Sequence, residues 1–166
     1  MEGRFDSGVS FDYGYGAPGE VNLELYAVRS SSSTKIADDA YIVNVNSLGG
    51  QNVLTHANLG PNLENLTVTG DARLVVTEWM DNFASYGPAT IDASANTAGV
   101  YLGISNHDNV SFTGTAANDE FGLKSNRDSN NTLFDINTGA GKDTVLLDSV
   151  IAGDGSKING DDVTVY

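Results

Sequence analysis

Four aspartates each stand two residues before an apolar side chain: Asp108 before Val110, Asp119 before Phe121, Asp143 before Val145 and Asp161 before Val163. Two residues ahead of each come Asn106, Ala117, Gly141 and Asn159, mostly types that accept a left-handed turn. If the chain coils so that such turns stack, they become rows of Gly, Asn and Asp in which carboxylates and backbone carbonyls crowd together. Crowded carboxylates repel, and a hard cation such as Ca²⁺ relieves the repulsion with oxygen ligands. The competing chemistry is local: Asp and Asn side chains fold back onto nearby backbone N–H groups and make Asx turns. Both chemistries suit the row.

Catalysis would need titratable groups converging in a cleft. The chain holds two histidines, His56 and His107, and no Cys. The histidines lie far apart and lack zinc-site spacing. The serines of RSSSSTK at 29–35 lack a G-x-S-x-G elbow and read as a solvated loop. Lys124, Arg127 and Asp128 could be cast as the base and ion ligand of a β-helix polysaccharide lyase, but a polar corner between coils accounts for them. The pairs Asp38-Asp39 and Asp161-Asp162 read as solvated corners rather than a glycosidase pair, whose members usually come from distant positions. His107 reads as a turn residue, and His56 as a strand cap or loop residue. The expectation is a protein that is not an enzyme.

Composition narrows the partners. With 8 basic and 22 acidic residues the net charge is -14, which opposes binding to nucleic acid or to an anionic membrane. No apolar run approaches the ~20 residues a membrane helix needs. The absence of Cys removes disulfides, thiolate metal sites and a Cys nucleophile. Hydrophobic residues at 40% exclude a disordered acidic tail and allow a packed core. Residues 1–20 show no basic region followed by an apolar one, so no N-terminal secretory signal is visible.

These residues must be positioned by strands. Short runs of Val, Leu, Ile, Phe and Tyr are bounded by Gly, Asn, Asp and Ser. Candidate strands cover 21–28, 41–46, 63–69, 73–77, 90–92, 100–104, 109–113, 120–123, 132–137, 143–147 and 162–166. Near 77–86, Trp79, Met80 and Phe83 recur at helical spacing and predict a short helix or a compact loop laid over a sheet. Residues 1–50 carry longer, alternating strands, suited to a sheet with one wet face. Between Ile91 and Phe121 strands recur about every ten residues, which predicts ~20 residues for a coil of two strands. One such coil cannot bury its own apolar face, whereas a stack of coils buries a continuous column.

The segment GAGKDTV at 139–145 matches the core of the repeats-in-toxin (RTX) nonapeptide, GGxGxDxUx, and GTAANDEF at 114–121 resembles a degenerate first repeat of such arrays. LENLTVTGDARLVVT and TIDASANTAGVYLGI resemble β-solenoid segments of bacterial surface-layer proteins and large RTX adhesins. The resemblance covers roughly residues 63–145. It implies secretion by the type I route with an uncleaved C-terminal signal, which DDVTVY at 161–166 resembles. It also implies a Ca²⁺ site at Asp143 with the carbonyls of Gly139 and Gly141, then at Asp119, with Asp108 as a further candidate. Only residues 139–145 keep both glycines and the aspartate. Asp119 and Asp143 are too far apart for adjacent nonapeptides, so the chain resembles the family's scaffold more than its dense calcium roll.

The expected fold is all-β: a parallel β-solenoid (β-helix or β-roll-like) over residues 51–166. An N-terminal β segment, residues 1–50, precedes it as a cap or as an assembly arm that adds a strand to a neighbour. Phe5, Phe11, Tyr13 and Tyr15 in that segment, with Trp79, Phe83 and Tyr86, are the candidate interface aromatics. The expected function is a secreted structural protein at the cell surface. It self-assembles into a layer, filament or adhesin module, with copies of itself as partners and Ca²⁺ supporting folding or assembly. A carbohydrate-binding or polysaccharide-lyase β-helix, with cell-surface polysaccharide as partner, is one alternative. A β-sandwich binding domain with antiparallel neighbours is the other.

Overall fold

The computed structural model describes residues 4–5, 19–35, 40–59, 62–80, 89–105, 107, 109–124 and 132–166. Their strands are β1 (Arg4–Phe5), β2 (Glu20–Tyr26), β3 (Arg29–Ser30), β4 (Ser33–Lys35), β5 (Ile42–Leu48), β6 (Asn52–Leu54), β7 (His56–Asn58), β8 (Asn65–Gly70), β9 (Leu74–Val76), β10 (Ala89–Asn96), β11 (Val100–Ser105), β12 (Asn109–Thr113), β13 (Glu120–Lys124), β14 (Leu133–Asn137), β15 (Lys142–Asp148), β16 (Lys157–Asn159) and β17 (Asp162–Val165). An eight-stranded sheet runs β1-β3-β6-β9-β11-β13-β15-β17, and a seven-stranded sheet runs β16-β14-β12-β10-β8-β5-β2. A two-stranded sheet, β4-β7, adds a third side to the early coils. Every one of these pairings is parallel. The fold is therefore a parallel β-solenoid, and the antiparallel sandwich is ruled out.

Coil length varies around the expected period. In the seven-stranded sheet Glu20 aligns with Ile42, Ile42 with Asn65 and Asn109 with Leu133, each step a little longer than that period. In the eight-stranded sheet the step from Tyr101 to Glu120 falls just short of it, and the step from Glu120 to Thr144 exceeds it. The corners absorb most of the difference, and within the strands β10 shifts register against β8 between Asp92 and Ala95.

Register lines up the core. Val21, Val43, Leu66, Ile91, Phe112, Ile136 and Ile158 form one column across the seven-stranded sheet. Leu102, Phe121, Val145 and Val165 form one across the other. The sheets meet where Phe112 stacks on Phe121, with ring centroids 4.2 Å apart and planes within 10°. Alternate residues of each strand face inward, so a period of two in the sequence becomes a continuous apolar interior.

Residues 20–48, expected to precede the solenoid, are coils of the same two sheets: β2 pairs along its length with β5, and β5 pairs with β8. A solenoid coil has one wet and one buried face, the same alternation a free-standing sheet shows. The expected polar loop at 29–35 contains β3 and β4 instead. Ser30 and Thr34 are buried there, with Ser30 Oγ donating to the Ser32 carbonyl at 2.6 Å and Thr34 Oγ1 donating to Ser30 Oγ at 3.4 Å. Hydroxyls that satisfy one another let a polar run enter the interior. Of the candidate helix, residues 77–80 are described and are not helical; Met80 forms a parallel bridge to Ile104. Residues 81–86 lie outside the described residues.

Candidate functional site

Two features of the eight-stranded sheet hold the chemistry: an acidic corner facing inward and an aromatic cavity facing outward. At the corner, the register places Val100, Asp119 and Asp143 one coil apart at the same position, since Tyr101 aligns with Glu120 and Glu120 with Thr144. Asp119 and Asp143 are buried, 3% and 2% exposed. Each carboxylate accepts from the coil before it. Asp119 Oδ1 accepts the Val100 N–H at 2.8 Å, and Asp143 Oδ1 accepts the Asp119 N–H at 2.9 Å. Asp119 also closes its own turn, accepting Thr115 Oγ1–H at 3.1 Å on Oδ1 and Thr115 N–H at 2.6 Å on Oδ2. Desolvation raises the Asp119 pKa; the hydrogen bonds from Thr115 and Val100 oppose the rise, and the neighbouring Asp143 charge adds to it.

The device recurs upstream with an amide. Asn52 opens β6, aligns with Leu74, and through it with Val100. Its Oδ1 accepts the Val28 N–H from the preceding coil at 2.7 Å, and its Nδ2 donates to Ser47 Oγ at 2.8 Å. Asn52 is absent from the sequence-derived set because that set aligns aspartates alone. The same rule applied to Asn finds it, two residues before Leu54. Thr115 is missed as well, since a hydroxyl bonded within its own turn carries no period along the chain.

The remaining aspartates of the sequence row are Asp161 and Asp108. Asp161 is exposed and aligns with Gly141, because Asp162 aligns with Lys142. Val163 takes the position beside Asp143, so Asp161 falls outside the row. Asp108 lies outside the described residues, and its neighbour Asn109 opens β12 in the seven-stranded sheet, across the core from Asp119. Gly139 and Gly141 take φ of 86° and 121° at the turn ahead of Asp143. The Gly139 carbonyl accepts the Asp161 N–H at 3.1 Å. Ca²⁺ takes six to eight oxygens. At this corner both Asp119 oxygens already hold donors, and Asp143 Oδ2 is the carboxylate oxygen that is buried without a protein partner among the described residues. Among those residues no three acidic or His side chains cluster for a metal.

The outward feature centres on Trp79, the chain's single tryptophan. Gly103 aligns with Gly122 in the next coil. A Cβ on Gly103 would stand 3.0 Å from Trp79 Cε3, and one on Gly122 would stand 2.8 Å from Cζ3 and Cη2. The six-membered ring of the indole thus occupies a trough made by two side-chain-free positions. Around it lies a cavity of about 190 Å³ lined by Glu78, Trp79, Tyr101, Glu120 and Leu146 among others. Lys124 Nζ lies 5.9 Å from the Trp79 ring centroid and pairs with Asp148 at 3.0 Å. That contact, with help from Ser149, holds the Asp148 carboxyl below the usual range. His56 Nδ1 lies 3.0 Å from Glu78 Oε2. His107 is buried, and its Nδ1 accepts the Asn109 N–H at 3.3 Å, a turn role as expected. Phe5 lies in β1, but its side chain is outside the described residues, as are Phe11, Tyr13, Tyr15, Phe83, Tyr86, Arg127, Asp128 and the pair Asp38-Asp39. No family model, curated protein or solved structure matches this chain.

Proposed function

We propose that this chain is a structural module of a secreted, self-assembling surface layer, filament or adhesin, and that Ca²⁺ supports its folding or assembly. The observation that carries the reading is the uninterrupted parallel stack. Each coil contacts its neighbours through backbone hydrogen bonds, and nothing in that arrangement limits the number of coils. Among the described residues β16 and β17 are the outermost strands at one end of the two sheets, and Val165 of β17 continues the apolar column from Val145. A strand from a second copy would continue both hydrogen bonding and the apolar column. The net charge of -14 opposes that approach, so a divalent cation favours it by screening. At the Asp119–Asp143 corner the unpartnered Asp143 Oδ2 is the oxygen a cation would relieve.

The test is light scattering with size separation over a concentration series, in millimolar Ca²⁺ and in chelator, with circular dichroism in parallel. Assembly that grows with concentration and Ca²⁺, and weakens in Val165→Lys, supports the reading. A monomer at every concentration in Ca²⁺ refutes the assembly. Identical scattering and dichroism with and without chelator refute the role of Ca²⁺.

A further inference from the structure

We propose that the Trp79 cavity is a saccharide-binding subsite that takes one neutral pyranose unit. The assignment goes beyond the structural reading above and does not depend on it. Its first support is the glycine pair. Glycine inside a strand forfeits packing and adds chain entropy, so it marks a bulge, a bend or a close approach. Gly103 and Gly122 sit in register in regular parallel strands, and neither has positive φ. Backbone conformation does not require them; room for the indole does. Their outward neighbours carry side chains: Tyr101 and Glu120 on one side, Ser105 and Lys124 on the other. The trough therefore holds a half-buried tryptophan on an outer face, where burial alone would favour an inward position.

The second support is the chemistry of the walls. Trp79, Tyr101 and Leu146 provide apolar surface of the kind that covers the C–H face of a sugar ring, and Leu146 is 39% exposed. Glu78, Glu120 and Tyr101 among the lining residues bring carboxylates and a hydroxyl as acceptors for vicinal hydroxyls, with Glu78 Oε2 already 3.0 Å from His56 Nδ1. Hydrogen bonds to an ionised acceptor are the stronger kind and give orientation. The cavity of about 190 Å³ is smaller than the ~300 Å³ at which drug-sized pockets begin, which suits one ring. Two carboxylates among the lining residues repel a uronate and favour a neutral sugar. The indole already has a cation beside it in Lys124, itself paired to Asp148, which disfavours a cationic ligand.

Because Trp79 is the chain's single tryptophan, intrinsic tryptophan fluorescence reports on this cavity alone. The full chain, dilute enough to be monomeric, is titrated with methyl glucoside, methyl galactoside, methyl mannoside and their neutral oligosaccharides. Glucuronate and tetramethylammonium serve as charged comparisons. The expected result is a saturable change with at least one neutral sugar and a weaker response to glucuronate. Glu120→Gln should weaken binding about tenfold, the loss of one charge-assisted hydrogen bond. Leu146→Arg, which fills the cavity from the next coil, should abolish it. Three results overturn the proposal: no saturable change with any neutral sugar, a tighter response to tetramethylammonium, or a saccharide response unchanged in both variants. None of them bears on assembly, so the two readings fail separately.

Discussion

Asp119→Ala tests whether the buried acids are scaffold. The substitution removes the acceptor of two backbone donors, Val100 N–H at 2.8 Å and Thr115 N–H at 2.6 Å, and of Thr115 Oγ1–H at 3.1 Å. The hydroxyl can rotate and also donates to the Ala117 carbonyl at 3.3 Å, so it finds other company. The backbone donors are fixed in a corner where Asp119 is 3% exposed. An orphaned buried donor costs about 1–3 kcal/mol, so two cost about 2–6 kcal/mol. That is a large part of the ~5–15 kcal/mol by which a domain is stable. It corresponds to a fall in Tm of roughly 4–24 °C for a chain of this size. Asp119→Asn keeps one carbonyl oxygen and should cost less, about 1–3 kcal/mol. Asp161→Ala, at an exposed position outside the row, should stay within ~0.5 kcal/mol of the parent. The assay is urea unfolding followed by circular dichroism. Coils can open separately, so hydrogen exchange at the Val100 and Thr115 amides accompanies it. Both amides should exchange faster in Asp119→Ala. Equal urea midpoints for Asp119→Ala and the parent, or an equal cost from Asp161→Ala, refutes the scaffold role.

Two further outcomes follow from the same corner. Gly139→Ala should destabilise far more than Gly155→Ala: both positions have positive φ, 86° and 92°, but a Cβ on Gly139 meets the Thr115 carbonyl oxygen whereas one on Gly155 meets nothing within 4 Å. The Gly155 change carries only the left-handed penalty of about 1 kcal/mol, and thermal melts of the two variants compare them. The pH dependence has a definite sign. Burial raises the folded-state pKa of Asp119 above its unfolded 3.8, so the folded state binds its proton more tightly between those two values. Stability from this group is fully present below pH 3.8 and is lost as pH rises through the folded pKa. The Tm difference between the parent and Asp119→Asn should therefore move against the parent with rising pH in that window. A flat difference contradicts it.

Much of the fold was legible in the sequence. Alternating apolar residues and Gly, Asn and Asp punctuation mark strands and turns locally, because side-chain direction in a strand depends only on position parity. Each of the candidate strands coincides with an observed one. Coil size followed from strand spacing. The short strands β6, β7 and β16 escaped, as did the serine-rich β3 and β4, because pairing from adjacent coils rather than their own pattern makes them strands. What the tertiary structure decided is register. Asp119, Asp143 and Asp161 share one local pattern, yet Asp119 stacks on Asp143 while Asp161 does not, because corners of unequal length make coils of unequal length. A fixed period read along the chain drifts with every such corner, and a small drift moves a side chain out of its row. For the same reason the in-register glycines under Trp79 are invisible in sequence, where a whole coil separates Gly103 from Gly122. Parity and turn chemistry are local and can be read from the chain; which residues become neighbours between coils is set by how each corner closes.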